Sequence, residues 1–328
     1  MRVLIIKPSS LGDIIHALPA VNLIRRRYPE AHLAWLVNAN FAALLQNCPL
    51  IDEIIPFPRH EFRKLPALIK RLRQNRYNLI VDFQGLLRSG LLTAVTGARR
   101  RVGFAAPLAR EGAHFAYNEI VPVTCLHAVD RNLLIARHLG CDMTTPVEFP
   151  LGATNACRQS VTALLAGIAA PIAVNPAARW PTKFWGDDKF TSLIRQLPAE
   201  RVILTGATAE AARIAGIAPA CRNLAGQTDL AQLTEVYRHC AVVITNDSGP
   251  MHLAAAVGTP VVAIFGPTDP ALTGPYGKQH RVLRAGIACS PCLSPRCRHT
   301  PRMECMQLVT VEQVLAAVRP LLATDRTR

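Results

Sequence analysis

Aromatic residues make up only 5% of the chain, and no stretch interleaves them with basic residues. Single-stranded nucleic-acid binders need rings on which bases stack, so nucleic acid is not an expected partner. No run of 18 or more apolar residues occurs, and no membrane-spanning helix is expected. No Gly-x-Gly-x-x-Gly follows the apolar run 3–6, which disfavours a dinucleotide-dependent dehydrogenase. Tandem repeats and low-complexity tracts are also lacking. The opening Met1-Arg2-Val3-Leu4 enters a strand pattern at once and has no signal-peptide layout, so a cytoplasmic protein is expected.

Acidic residues are scarce. There are 22 against 37 basic ones, giving a formal net charge of +15. Lysine is scarcer still, 6 of those 37, leaving 31 arginines. Arginine suits planar, bidentate contacts to phosphate and carboxylate, although Arg-rich codon usage gives the same bias. Residues 59–110 hold twelve Arg and Lys against Glu61 and Asp82. Such a surface attracts nucleic acid, an anionic membrane, or a phosphorylated or carboxylated substrate. Ten cysteines in 328 residues do not make a disulfide scaffold.

Half the residues are hydrophobic, enough for two cores. Short β-branched runs at 3–6, 33–37, 79–82 and 120–123 read as strands in the first half. Runs at 172–175, 202–205, 242–245 and 261–265 do so in the second. Helical patterns at 14–28, 65–75, 131–139, 184–196 and 230–239 alternate with them. The fold class expected is α/β, with two Rossmann-like parallel-sheet domains facing a cleft. The domains are placed at 1–160 and 161–310, joined through a Pro-, Gly-, Ala- and Thr-rich segment at 146–171. The last stretch, 311–328, is expected to be a helix packing back on the first domain.

The most informative stretch is VVITNDSGPMHLAAAVGTPVVAIFGPTDP, residues 242–270. A strand ends at Thr245, a turn carries Asn246 to Gly249, Pro250 suits a helix start, and Gly258 stops the helix. The first turn then offers backbone N–H groups to an anion, with Ser248 and His252 as side-chain donors. A capped helix with Asp247 or Ser248 as N-cap explains the same residues. Asp247 has the wrong charge for phosphate and would orient the loop or bind a hydroxyl. Lys183 falls near another helix start, placed to reach a phosphate or simply to sit in solvent. Glu210, after the Gly206 turn, could accept ribose hydroxyls or favour its own helix start.

In the first half, Ser9-Ser10-Leu11-Gly12-Asp13 follows the strand at 3–6. Asp13 has a bland role in a helix's first turn. It also lies where an ionised carboxylate could take a proton from a hydroxyl. Arg59, Arg63, Lys64, Lys70, Arg71, Arg73 and Arg76 fall within 18 residues, and most are an ordinary solvated face. Arg88, Arg110, His127 and Arg131 are spread more widely and could line a cleft floor.

These motifs together resemble the bacterial ADP-heptose:lipopolysaccharide heptosyltransferases, glycosyltransferase family 9. The resemblance rests on the Ser9–Asp13 loop, VDFQGLLRSGLL (81–92), Lys183 with Trp185, NDSGPMHLAAAVGTP (246–260) and FGPTDP (265–270). AREGAHFAYN (109–118) and HAVDR (127–131) are most similar to the heptosyltransferase I branch. The resemblance implies a GT-B fold and inverting transfer of L-glycero-D-manno-heptose from ADP-heptose to the Kdo of Kdo-lipid A. It implies Asp13 as general base and Lys183 stabilising the diphosphate. Thr182, Thr205, Gly206, Glu210, Asp247, Ser248, Gly249 and His252 would surround the donor. Ser10, Arg59, Arg63, Lys64, Arg88, Arg110, His127 and Arg131 would meet Kdo carboxylates and lipid A phosphates. Peripheral attachment to the anionic cytoplasmic face of the inner membrane follows from that acceptor. No Asp-x-Asp occurs, so no metal is expected to bridge the diphosphate and no cofactor is required for catalysis.

Cys289, Cys292, Cys297 and Cys305, with spacings x2, x4 and x7, resemble a small structural metal knuckle. The branch I resemblance does not require it, which leaves the acceptor open to a later core heptose. A nucleotide-sugar epimerase or hydrolase of the same fold is a further alternative.

Overall fold

A computed structural model describes residues 1–58 and 61–324. The chain divides into two compact units, Met1–Gly152 and Ala153–Arg328. The first holds β1 (Arg2–Ile6), β2 (His32–Asn38), β3 (Glu53–Phe57), β4 (Leu79–Asp82), β5 (Arg100–Phe104) and β6 (Glu119–Val121). They form one parallel sheet in the order β3-β2-β1-β4-β5-β6. The second holds β7 (Ile172–Asn175), β8 (Val202–Leu204), β9 (Arg222–Asn223), β10 (Val242–Asn246), β11 (Val261–Phe265) and β12 (Arg281–Arg284). Its sheet is also parallel, in the order β12-β11-β10-β7-β8-β9.

The central strands are buried on both faces, as continuous apolar runs require. Val3, Leu4, Ile5 and Ile6 have no solvent exposure, nor do Val261 to Phe265. Each buried Val, Leu, Ile or Phe among them contributes roughly 1.5–3 kcal/mol by burial. In both sheets the chain winds outward, returns, and winds the other way. The reversal falls between β1 and β4 in one unit and between β7 and β10 in the other. Such switch points leave a crevice at the carboxyl ends of the strands, where open α/β sheets bind ligands.

The helix Leu11–Arg27 follows β1. Asp13 lies in its first turn and Arg25, Arg26 and Arg27 in its last, each favourable to the helix dipole. Pro19 inside it removes one backbone hydrogen bond, and burial of nearly every residue from Ile14 to Ile24 holds the helix regardless.

Four strands escaped the pattern reading. β5 begins with Arg100-Arg101, which look unlike a strand. Arg100 is satisfied across the ladder by both oxygens of Glu119 on β6, at 2.6 and 2.9 Å. β3 contains Pro56, β9 is two residues long, and β12 carries Arg at both ends. Two boundary expectations are corrected. The segment taken as a joint contains the helix Asn155–Leu164, which packs on Leu230–His239 in the second unit. The helix Val311–Thr324 also belongs to the second unit, not the first. Its Val314, Leu315 and Val318 are buried in the core with Ile244, Val262 and Phe190.

Candidate active site

Because every strand of the first sheet runs the same way, every connection leaving a strand's carboxyl end emerges at one edge. Asp13 follows β1, Arg63 and Lys64 follow β3, Arg88 follows β4, Arg110 follows β5, and His127 and Arg131 follow β6. The topology therefore gathers the candidate acceptor residues on that edge. Arg59 lies in the same β3 connection but outside the described residues.

Asp13 is half-buried, and its Oδ2 accepts from the Ser10 amide at 2.9 Å and the Ser10 hydroxyl at 2.7 Å. Ser10 thus acts first as the clamp of Asp13. One helical turn on, His16 meets the His127 ring edge-on, 5.6 Å between centroids. His127 caps the helix Ala128–His138 by accepting the Val129 N–H at Nδ1, at 3.2 Å. Arg131 is steadied by its Nε donating to Cys125 O at 3.3 Å. Arg88 and Arg110 are exposed, with Arg88 over the Phe57 ring at 5.8 Å. Arg63 is exposed, and Lys64 pairs with Glu61 at 2.5 Å.

Two residues here were missed from sequence. Lys7 is buried, and its Nζ donates to Phe83 O at 2.8 Å, tying the end of β1 to the loop after β4. Burial pulls its pKa below the usual lysine range. The carboxylates of Asp13 and Asp82 act in the opposite direction, and Arg110 adds to the lowering. Asp82 is fully buried and shapes that loop. Its Oδ1 accepts from the Gln84 and Gly85 amides at 2.7 and 3.1 Å, and its Oδ2 from the Tyr117 hydroxyl at 2.7 Å. Burial pushes Asp82 upward against those hydrogen bonds. Tyr117 reaches it because Gly103 has no side chain: a Cβ there would lie 2.3 Å from the ring. A lysine directly after a buried strand was the available signal for Lys7. Asp82 lies inside VDFQGLLRSGLL, the motif quoted for the resemblance, but its role in the loop depends on Tyr117, far along the chain.

The second unit repeats the arrangement. Thr182 and Lys183 follow β7, Thr205, Gly206 and Glu210 follow β8, and Asp247, Ser248, Gly249 and His252 follow β10. At the switch point, the Lys183 ammonium lies 2.6 Å from Asp247 Oδ2, with the side chains 18% and 4% exposed. The Thr268 hydroxyl donates to the same oxygen at 2.5 Å. Asp247 is thus the counter-ion of Lys183, which answers the awkward charge at this edge. Lys183 also stands 4.9 Å from the Trp180 ring centroid.

The helix Gly249–Ala256 starts here, with Ser248 as N-cap and the Ser248 hydroxyl 3.2 Å from Thr245 Oγ1. Pro250 has no N–H, and the Met251 N–H turns back to Ser248 O at 3.1 Å. The turn therefore offers an anion fewer amides than the pattern alone suggests, and Lys183 is the strongest donor nearby. His252 is buried in the helix's first turn. Thr205 and Thr182 are also buried, and both hydroxyls are engaged within the unit. Thr205 bonds Asn175 and Tyr237, and Thr182 donates to Ser294 O at 2.9 Å. Glu210 Oε2 accepts from the Ala207 amide at 3.1 Å, closing the turn beside Gly206.

Cys289, Cys292, Cys297 and Cys305 line one concavity of about 590 Å³ with Thr182 and Pro267. Among the described residues, no three His, Cys, Asp or Glu side chains are already gathered as a metal cage. No helix among them is long and apolar enough to cross a membrane.

Residues 65–302 match the model of glycosyltransferase family 9 (heptosyltransferase). The lipopolysaccharide heptosyltransferase 1 of Pseudomonas aeruginosa is 30% identical, over 95% of this chain and 92% of that protein. Among solved structures, the ADP-heptose lps heptosyltransferase II of Escherichia coli superposes with a TM-score of 0.81 at 24% identity. That match covers 99% of this chain and 100% of the other. An Escherichia coli heptosyltransferase solved with ADP gives a TM-score of 0.78 at 26% identity, over 98% and 100%. The two sheets and their helices are those of the GT-B fold.

Proposed function

The chain belongs to glycosyltransferase family 9, the heptosyltransferases, and we propose that it moves L-glycero-D-manno-heptose from ADP-heptose to the Kdo of Kdo-lipid A, building the inner core of lipopolysaccharide. One observation carries the reading: each unit concentrates its reactive groups at its own switch point. The first presents a clamped carboxylate, Asp13, on a basic edge. The second presents a cation, Lys183, held by Asp247.

In this reading Asp13 takes the proton from the acceptor hydroxyl as its oxygen attacks the anomeric carbon. The ADP departs from the opposite face, so configuration inverts. Charge builds on the diphosphate as the bond breaks, and Lys183 stabilises it. The diphosphate competes with Asp247 for the ammonium, and the Thr268 hydroxyl keeps Asp247 satisfied once Lys183 has turned away. Ser248, Gly249 and His252 line the phosphates, and Glu210 faces the nucleoside. No metal takes part in the transfer step. Arg63, Lys64, Arg88, Arg110, His127 and Arg131, with Arg59, receive the acceptor's carboxylates and phosphates, and hold the enzyme loosely on the anionic cytoplasmic face of the inner membrane. Support for the first-heptose assignment comes from the Pseudomonas aeruginosa relative, named heptosyltransferase 1. A later core heptose as acceptor is the second reading, favoured by the cysteine cluster, which the branch I resemblance does not require.

Product analysis tests this. ADP-heptose supplied with Kdo-lipid A should yield ADP and a heptosylated lipid with inverted anomeric configuration. ADP release at the same rate without acceptor would make the protein a hydrolase. Retained configuration would remove the single-displacement step.

A further inference from the structure

The segment carrying the four cysteines touches the chain beside both members of the Lys183–Asp247 pair. On one side, Ser294 O accepts from Thr182, the residue before Lys183. On the other, the Ser290 hydroxyl donates to Gly266 O at 2.6 Å and the Leu293 amide to Pro267 O at 2.7 Å. Gly266 and Pro267 lead directly into Thr268, which bonds Asp247. Whatever fixes this segment therefore fixes the surroundings of the cation.

Its own regular structure is slight: among 289–303 no residue is in a helix or strand. A segment of this kind needs another source of order, and its chemistry supplies one. All four thiols face the same concavity, and none is in a disulfide. Leu293, directly after the Cys-x-x-Cys pair, is left-handed at φ 53°, and Met303 is left-handed at φ 61°. Side-chain-bearing residues adopt that conformation at a cost that something must offset. The second turn aims the Met303 amide at Cys297 Sγ, 3.3 Å away, the kind of N–H to sulfur bond that supports a thiolate. Gly266 leaves room for the Cys305–Met306 turn, since a Cβ there would lie 2.3 Å from Met306 Sδ and 3.1 Å from Cys305 Sγ. Arg296 and Arg298 line the same wall, and their charge offsets the net −2 of a divalent ion held by four thiolates.

We propose that Cys289, Cys292, Cys297 and Cys305 bind one thiophilic divalent cation, zinc or ferrous iron, as a tetrahedral four-thiolate site that braces the Lys183 and Thr268 segments. Binding breaks four S–H bonds, forms four metal–sulfur bonds, and releases the protons to solvent. The four thiols line one wall without being gathered round a single point. A cation gathers them, because ligand closure and metal affinity are coupled. The bracing role rests on the donor site proposed above; the metal site does not.

The test uses the full chain, purified from zinc- and iron-supplemented cultures. Elemental analysis should find about one metal per chain and identify it. Chelation followed by cobalt(II) should produce the sulfur-to-cobalt charge-transfer band and intense visible d–d bands of a tetrahedral thiolate site. Cys292→Ser and Cys305→Ser should each weaken metal binding by at least about 10–100-fold, while Cys157→Ser on the helix Asn155–Leu164 should leave it intact. Absence of metal together with absence of the cobalt charge-transfer band would overturn the site, as would equal metal content in the Ser variants. For the bracing, loss of metal should weaken ADP binding and donor KM by up to about 10²-fold through misplacement of Lys183, with restoration on adding metal back. Unchanged ADP affinity in the metal-free protein would overturn the bracing and leave the metal site standing. Failure of ADP to bind the metal-loaded chain would instead refute the donor-site reading, and the bracing with it.

Discussion

Removing the Lys183 charge should damage stability and donor binding together, and a second substitution should separate the two. Lys183 Nζ and Asp247 Oδ2 stand 2.6 Å apart, with Asp247 only 4% exposed. At an effective dielectric of about 20 their attraction is roughly 6 kcal/mol before desolvation is subtracted. Breaking a buried pair by removing one partner costs about 3–5 kcal/mol, because a lone charge stays buried. The Thr268 hydroxyl still serves Asp247, and Lys183 is partly exposed, so Lys183→Met should fall at the low end, about 3 kcal/mol. For a unit of this size that lowers the melting temperature by roughly 6–12 °C. Lys183→Met with Asp247→Asn removes both charges and should recover most of that loss, a coupling of about 2 kcal/mol in a double-mutant cycle. ADP affinity should not recover. A charge-assisted hydrogen bond to the diphosphate is worth about 1.5–3 kcal/mol, roughly 10–100-fold in Kd by calorimetry, and both variants lack it. An unchanged melting temperature for Lys183→Met would refute the buried-pair argument. Parent-like ADP binding by the double variant would refute the donor role.

Gly103→Ala should force the buried Tyr117 ring away from Asp82 and cost about 1–3 kcal/mol by overpacking; scanning calorimetry checks this, and an unchanged melting temperature counts against the Tyr117–Asp82 clamp. Acid should weaken the first unit. Burial alone would raise Asp52 and Glu53, but the Leu33 amide with Arg25, and His32 with Arg71, hold them below the usual carboxylate range. The Arg100 hydrogen bond, helped by His138, does the same for Glu119. Depressed carboxylates stabilise above their unfolded pKa, so urea midpoints should hold near neutrality and drop as pH falls below about 4. A flat profile there would contradict the pairing. Binding to anionic vesicles should fade as salt rises, since exposed charges are screened beyond about 10 Å at 0.1 M; retention at high salt would argue against a charge-driven attachment.

The alternation of apolar runs with helical patterns was enough for the α/β class, because strands such as Val261–Phe265 are buried on both faces and read as unbroken apolar stretches. Strands that carry arginine did not read that way. Arg100 is acceptable in β5 only because Glu119 waits across the ladder, and that partner is a tertiary fact. The helix Val311–Thr324 was visible as an apolar stripe, but a stripe states that a face is buried, not against which sheet. The place of Asp13, in the first turn of the helix that follows the first strand, was legible from the apolar run before it and the helical pattern after it. The partnership of Asp247 with Lys183 was not, since it depends on β7 and β10 lying side by side after a long excursion of the chain. Thr182 and Thr205 entered only through the family resemblance, and the bonds their hydroxyls make to Ser294, Asn175 and Tyr237 could not be read from the chain.

The most direct measurement is single-turnover heptose transfer by Asp13→Asn, with ADP-heptose and Kdo-lipid A both saturating. The isosteric amide keeps the shape at the helix start but accepts no proton. Donor affinity should match the parent, while transfer falls by roughly 10²–10⁴-fold, the range general-base catalysis supplies. Transfer at the parental rate would mean that the proton leaves by another route, and the assignment of Asp13 would be wrong.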